Sequence, residues 1–211
     1  MLPSRDEFLN ALAQKHGSEL QDKFINSTVA ICGLGGLGSN IAVSLARAGV
    51  GKLILIDFDS VEISNLNRQQ YKLAQIGLPK AQALPENLRE INPFITLESH
   101  ATKISEQNAH ELLKDADVIC EAFDNAREKA MLTNYVLEKF PGKYFVAASG
   151  MAGVNSPNEI RTRKIAKRFY LCGDEISDVN ELGVLLSARV MLCAAHQALT
   201  VLRILANIER D

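Results

Sequence analysis

Residues 33–38 read GLGGLG, and their flanks restrict the fold more than any other feature of the sequence. Immediately before them, Thr28, Val29, Ala30, Ile31 and Cys32 form a short, almost uninterrupted apolar run, the pattern of a strand buried on both faces of a parallel sheet. Immediately after, from about Leu37 to Ala48, a helix is predicted. Gly33, Gly35, Gly36 and Gly38 let the backbone turn sharply from strand to helix and come close to a phosphate. The exposed N–H groups and dipole of the helix N-terminus favour negative charge at the same place. By itself the motif is weak, because glycines also permit close helix packing; its meaning depends on the rest of the chain.

The rest of the chain alternates in the same way. A strand is predicted over 52–57, a helix over 80–90 that ends before Asn92 and Pro93, and a strand over 95–99. A helix over 106–114, a strand over 116–120, a helix over 126–139 and a strand over 144–148 follow. Strands alternating with helices specify an α/β fold: a Rossmann-like, doubly wound, mostly parallel sheet with helices on both faces. Beyond Ala148 the pattern changes to a glycine-containing turn, a strand over 158–164, a polar stretch over 174–181 and a long C-terminal helix over about 184–208. In that helix Arg189, His196, Thr200, Arg203 and Asn207 make one polar stripe on an otherwise apolar cylinder. It reads as a core helix, or as one whose surplus apolar face lies in a dimer interface. Residues 1–26 read as an N-terminal helical arm broken at His16, Gly17 and Ser18, and 27–211 as a single domain.

The 211 residues are 47% hydrophobic and 23% charged, values of a globular chain rather than a disordered one. With 23 Lys+Arg against 25 Asp+Glu the net charge is -2, so no global field draws the protein to nucleic acid or to an anionic membrane. The first ten residues carry charge where a secretion signal needs an apolar run, and the most apolar stretch is interrupted by Arg189, His196, Gln197 and Arg203. A cytoplasmic protein with no membrane partner is the expectation. The four cysteines, Cys32, Cys120, Cys172 and Cys193, contain no CxxC pair, so they are expected as free thiols and no zinc site is expected.

Asp57 closes the second strand, 19 residues after Gly38, where a carboxylate accepts hydrogen bonds from ribose hydroxyls. The glycine turn and Asp57 together point to a nucleotide without distinguishing NAD from ATP. The distinguishing stretch is DFDSVEISNLNRQQ at 57–70, followed by GLPK at 77–80. Hydride transfer needs no Arg68 and Lys80 beside the nucleotide, whereas in-line attack on a triphosphate concentrates charge on phosphate oxygens. Arg68 offers a planar fork and Lys80 a compact cation, although either one alone is more often a solvated surface charge. Asp124, within AFDN at 122–125, falls just beyond the fourth strand, where open α/β sheets bind ligands. One carboxylate suffices for magnesium bound mainly by phosphate and water; the other reading of Asp124 is a cap for the helix that follows.

GLGGLGSN at 33–40, the 57–70 segment, GLPK, the FDN of 123–125 and SGMAG at 149–153 occur in the order found in the ThiF/MoeB/HesA family, and this chain resembles that family over about residues 27–165. The family is in turn similar to the adenylation domain of ubiquitin-activating enzymes. The short length, FYLCGD at 169–174 and AHQA at 195–198 look most like the short ThiF proteins of thiamine thiazole synthesis. The resemblance implies a reaction: the C-terminal carboxylate of a small ubiquitin-like sulfur carrier, ThiS-like and ending in Gly-Gly, attacks the α-phosphorus of Mg-ATP, giving an acyl adenylate and pyrophosphate. By motif match Asp57 holds the ribose, Asp59 and Asn65 belong to the nucleotide site, Arg68, Gln69 and Lys80 contact phosphates, and Asp124 holds magnesium. An arginine near the N-terminus often reaches the partner subunit's triphosphate in this family. Arg5, the only arginine before the glycine turn, is the candidate here, in a homodimer.

The chain departs from the family by lacking the paired CxxC zinc knot that many relatives carry. Relatives that pass the acyl group to sulfur often use a cysteine in a crossover loop, and Cys172 is the one cysteine read in a loop-like setting; its alternative is an inert core thiol. The basic run 161–168 is either a solvated strand face or a receiver for an acidic carrier. Two other functions compete. A related enzyme acting on a modified tRNA base is expected to need a larger basic surface, and a non-catalytic binding subunit has no need of Asp57, Arg68, Lys80 and Asp124 together.

Overall fold

A computed structural model describes residues 2–208. Each strand read from the alternation forms, and one more joins them. Two helices open the chain, α1 (Arg5–His16) and α2 (Ser18–Ile25), separated by Gly17 at φ 89. Strand β1 (Thr28–Cys32), α3 (Gly36–Ala48), β2 (Lys52–Ile56), α4 (Lys80–Ile91) and β3 (Thr96–His100) follow. Next come α5 (Ala109–Leu113), β4 (Val118–Glu121), α6 (Ala126–Lys139) and β5 (Tyr144–Ala148). The C-terminal part adds β6 (Arg161–Ala166), β7 (Phe169–Gly173), the short α7 (Val179–Leu182) and α8 (Ser187–Leu205).

The seven strands form one sheet in the order β3-β2-β1-β4-β5-β7-β6, parallel throughout except that β6 runs antiparallel to β7. The chain therefore reverses direction across the sheet between β1 and β4, which opens a crevice at their carboxyl ends. Alternation along β1 sends Val29 and Ile31 into a core under α3 and α8, and Ala30 and Cys32 into a second core under α5 and α6. Phe24 of α2 packs into the first core, while α1 buries none of its residues and is held at its start by reciprocal Ser4 and Glu7 bonds.

Strand β7 was not expected. The polar neighbours of Cys172 suggested a loop, but Phe169–Gly173 pairs with β5 on one side and β6 on the other, so Cys172 is a fully buried strand residue. The polar stripe of α8 also turns partly inward: Arg189 and Thr200 are buried, whereas the apolar Met191 and Leu199 are 46% and 60% exposed. Helix α8 lies along the sheet with Val190, Cys193, Ala194, Ala198 and Val201 against α3 and the strands.

Candidate active site

The carboxyl ends of β1, β2, β4 and β5 border a cleft of about 600 Å³. Its floor is the turn between β1 and α3. Gly33 has φ 93, and a Cβ there would stand 2.8 Å from the Ala122 carbonyl oxygen. At Gly38 a Cβ would fall 1.8 Å from the Gly33 carbonyl oxygen, so this glycine is required for helix to meet strand. Gly35 differs, because the nearest atom to a Cβ is Gln69 Nε2 at 3.8 Å; its bareness leaves room in the cleft rather than relieving a clash. Gly35 is also the N-cap of α3 and provides no side-chain cap for the helix, which leaves the first-turn N–H groups facing the cleft.

Asp57 is 8% exposed, and each carboxylate oxygen already accepts one backbone N–H: Leu34 at 2.6 Å and Asp59 at 2.8 Å. Burial pushes its carboxyl above the usual carboxylate range, opposed by the Lys80 ammonium and those two bonds. The Tyr71 hydroxyl donates to the Leu34 carbonyl at 2.8 Å and pins the turn from the other side. Lys80 opens α4 with only 6% exposure, and its Nζ lies 2.9 Å from Asp59 Oδ2. Asp59 thus lines the cleft and anchors Lys80 within it.

Arg68 and Gln69 line the cleft, but Asn65 does not. In the structure the Asn65 side chain accepts the Glu62 N–H at 3.1 Å, and its carbonyl accepts the N–H groups of Arg68 and Gln69. It folds the turn that presents its neighbours. Gln69 Oε1 is buried without a hydrogen-bond partner, an acceptor suited to a donor on a ligand. Asp124 also faces the cleft. The capping alternative falls to its neighbour, since Asn125 Oδ1 accepts the N–H groups of Arg127 and Glu128 at 2.9 and 3.2 Å.

Two buried ion pairs were missed from sequence. Glu121, at the end of β4, is 1% exposed and pairs with Lys129 of α6. Across the cleft Arg189 bonds Asp174 Oδ2 at 2.5 Å and the carbonyls of Ala152, Asn155 and Ser156. Asp174 Oδ1 meanwhile accepts from the Ile176 and Ser177 N–H groups and the Ser177 hydroxyl. Burial alone would raise the Asp174 carboxyl; these donors hold it below the usual range. The only sequence signals were a Glu ending an apolar strand and an Arg within an apolar helix.

The remaining candidates lie elsewhere. Cys172 is 0% exposed under Thr162 and α8, and burial pushes its thiol up to about 11, so the expectation of an accessible transfer thiol is corrected. All four cysteines are buried. Arg5 stands exposed at the start of α1, outside the cleft of its own chain. In the basic run Arg163 pairs with Glu175, while Lys164 and Arg168 lie over the Tyr170 and Tyr144 rings.

A family model described as the ThiF family matches residues 9–211. A molybdopterin-synthase adenylyltransferase from Haemophilus influenzae is 30% identical over 197 residues, covering 90% of this chain and 79% of that protein. A sulfur carrier protein adenylyltransferase from Thermus thermophilus is 36% identical over 110 residues, covering 52% of this chain and 41% of the relative. For several curated relatives, the Thermus protein among them, this chain spans less than half of the relative's length. Among solved structures, the E. coli tRNA N6-threonylcarbamoyladenosine dehydratase TcdA in complex with AMP superposes with a TM-score of 0.86 and 22% identity, covering 100% of both chains, a likeness of fold.

Proposed function

The chain belongs to the ThiF family, and from that premise we propose that it is an ATP-dependent adenylyltransferase for the C-terminal carboxylate of a small ubiquitin-like sulfur carrier ending in Gly-Gly. The observation that carries this reading is convergence: the 33–38 turn, Asp57, Arg68, Lys80 and Asp124 come from four separate stretches of sequence and line one cleft. A carrier oxygen attacks the α-phosphorus, one P–O bond forms, and the P–O bond to pyrophosphate breaks. Asp57 accepts the ribose hydroxyls, and the N–H groups at the start of α3 receive phosphate oxygens. Lys80, held by Asp59, and the Arg68 guanidinium place positive charge where negative charge gathers on the phosphates. Rigid placement in line supplies the rest of the acceleration, and no covalent nucleophile is required for this step.

Magnesium fits the donor set. Asp124 is a single carboxylate facing the cleft, and magnesium bound with nucleotide takes few carboxylates and fills its shell with phosphate oxygens and water. When bound it neutralises phosphate charge. The resemblance to short ThiF proteins supports thiamine thiazole synthesis as the setting, with a ThiS-like carrier and a cytoplasmic homodimer that lends Arg5 to the partner's site. ATP–pyrophosphate exchange tests the reading: exchange is expected with a Gly-Gly carrier and not with the same carrier lacking its last glycine. The likeness to TcdA favours a second reading, action on a modified tRNA base. AMP release dependent on tRNA, with no exchange on any carrier, would select it.

A further inference from the structure

We propose that Lys129 is a positioning residue for Asp124: clamped between Glu121 and the end of β5, it fixes where the proposed magnesium-binding carboxylate stands. The inference rests on the role given to Asp124 above. Lys129 lines the cleft, yet its Nζ donates to Glu121 Oε1 at 2.9 Å, to Glu121 Oε2 at 3.0 Å and to the Ala148 carbonyl at 2.9 Å. An ammonium has three hydrogens, so none is left for a ligand. The group acts on the site through what it holds.

What it holds is the peptide leading to Asp124. Glu121 Oε1 also accepts the Phe123 N–H at 2.7 Å, which ties the residue before Asp124 to the same carboxylate. Ala148 is the last residue of β5, from which the 149–152 rim of the cleft departs. On the opposite face of the sheet Gln197 of α8 donates from Nε2 to the Glu121 carbonyl at 2.9 Å and the Val146 carbonyl at 3.3 Å. The ends of β4 and β5 are thus cross-tied from α6 and from α8. A buried ion pair is a weak source of net stability because desolvation offsets attraction, and removing one partner is costly. The gain from this one is geometric: the two strand ends bracketing Asp124 cannot drift apart.

The test uses the full chain with Mn²⁺ as the probe, read by the electron paramagnetic resonance signal of free Mn²⁺ with and without ATP. ATP affinity in EDTA is measured alongside by calorimetry. Lys129→Met is expected to weaken Mn²⁺ binding to the protein–ATP complex by about tenfold, the effect typical of losing a residue that orients a metal ligand. Metal-free ATP affinity should stay within about twofold, and Lys129→Arg, which keeps donors for both the carboxylate and the carbonyl, should restore Mn²⁺ binding. A lysine with a purely structural role would lower the melting temperature and leave the metal affinity of the folded protein unchanged. If Lys129→Met does not fold, Glu121→Gln is expected to shift Mn²⁺ affinity in the same direction. Asp124→Asn separates the two levels. If it binds Mn²⁺ as wild type does, the magnesium reading fails and this inference falls with it; if it loses Mn²⁺ while folded Lys129→Met or Glu121→Gln does not, only the positioning role is overturned.

Discussion

Two regions of the molecule build the same cleft by different means. Residues 28–125 contribute it through backbone turns at strand ends, with Asp57 fixed by the Leu34 and Asp59 N–H groups, and Lys80 by Asp59. Residues 149–208 contribute it through buried side chains, with the Arg189 guanidinium gathering backbone from 152–156 and the carboxylate of Asp174, and Gln197 reaching back to Glu121. The first region carries the groups that meet the nucleotide and depends on backbone turns. The second carries the rim and depends on buried charge, so disturbing the two regions should fail in different ways.

The largest effect is expected in the first region. Asp124→Ala should lower ATP–pyrophosphate exchange by about 10²–10³-fold, the scale of losing a group that stabilises transition-state charge, with the melting temperature unchanged because Asp124 is exposed and caps no helix. Near-wild-type exchange by the folded variant would remove Asp124 from the site. In the second region Arg189→Met leaves Asp174 buried without its cation and should cost about 3–5 kcal/mol of stability in urea unfolding, with the activity of the remaining folded protein falling far less. Asp174 adds a pH signature. Its folded pKa is lowered, so its contribution to stability is present above the unfolded value near about 4 and is lost as pH falls through the folded value. Asp174→Asn should flatten the acid limb of the stability profile, and an unchanged limb would contradict the clamp.

A pair of glycines sharpens the comparison within one turn. Gly38→Ala pushes a Cβ against the Gly33 carbonyl and should destabilise by about 1–3 kcal/mol, the usual cost of overpacking. Gly35→Ala meets only Gln69 Nε2 at 3.8 Å, so stability should hold while ATP binds more weakly. The smallest effect is expected at Cys172. Cys172→Ala should leave exchange within about twofold and change stability by no more than about 2 kcal/mol, as for a small buried thiol with no chemical role. Loss of acyl transfer from the adenylate to sulfur, with exchange intact, in a stable Cys172→Ala protein would restore the transfer-thiol idea.

How much was legible from sequence follows from the same division. The glycine turn, Asp57 and Lys80 could be read because each lies within a few residues of a strand end or helix start, where local periodicity already marks the carboxyl edge of the sheet; Arg68, mid-way between β2 and α4, was legible only through its charge and its motif. Asp59 and Asn65 share the motif with the other residues assigned to the nucleotide site, and the structure adds what spacing leaves out: Asp59 anchors Lys80, and Asn65 folds the turn that carries Arg68 and Gln69. Such roles depend on side-chain direction, which spacing does not encode.

The sequence by itself determined the doubly wound sheet and the glycine turn, because periodicity and turn chemistry are properties of neighbouring residues. Tertiary structure alone decided that Asn125 rather than Asp124 caps α6, that Cys172 lies sealed in β7, and that Glu121–Lys129 and Asp174–Arg189 are buried pairs. Burial sets the strength and the cost of a charge, and it arises only when segments distant in sequence close over one another.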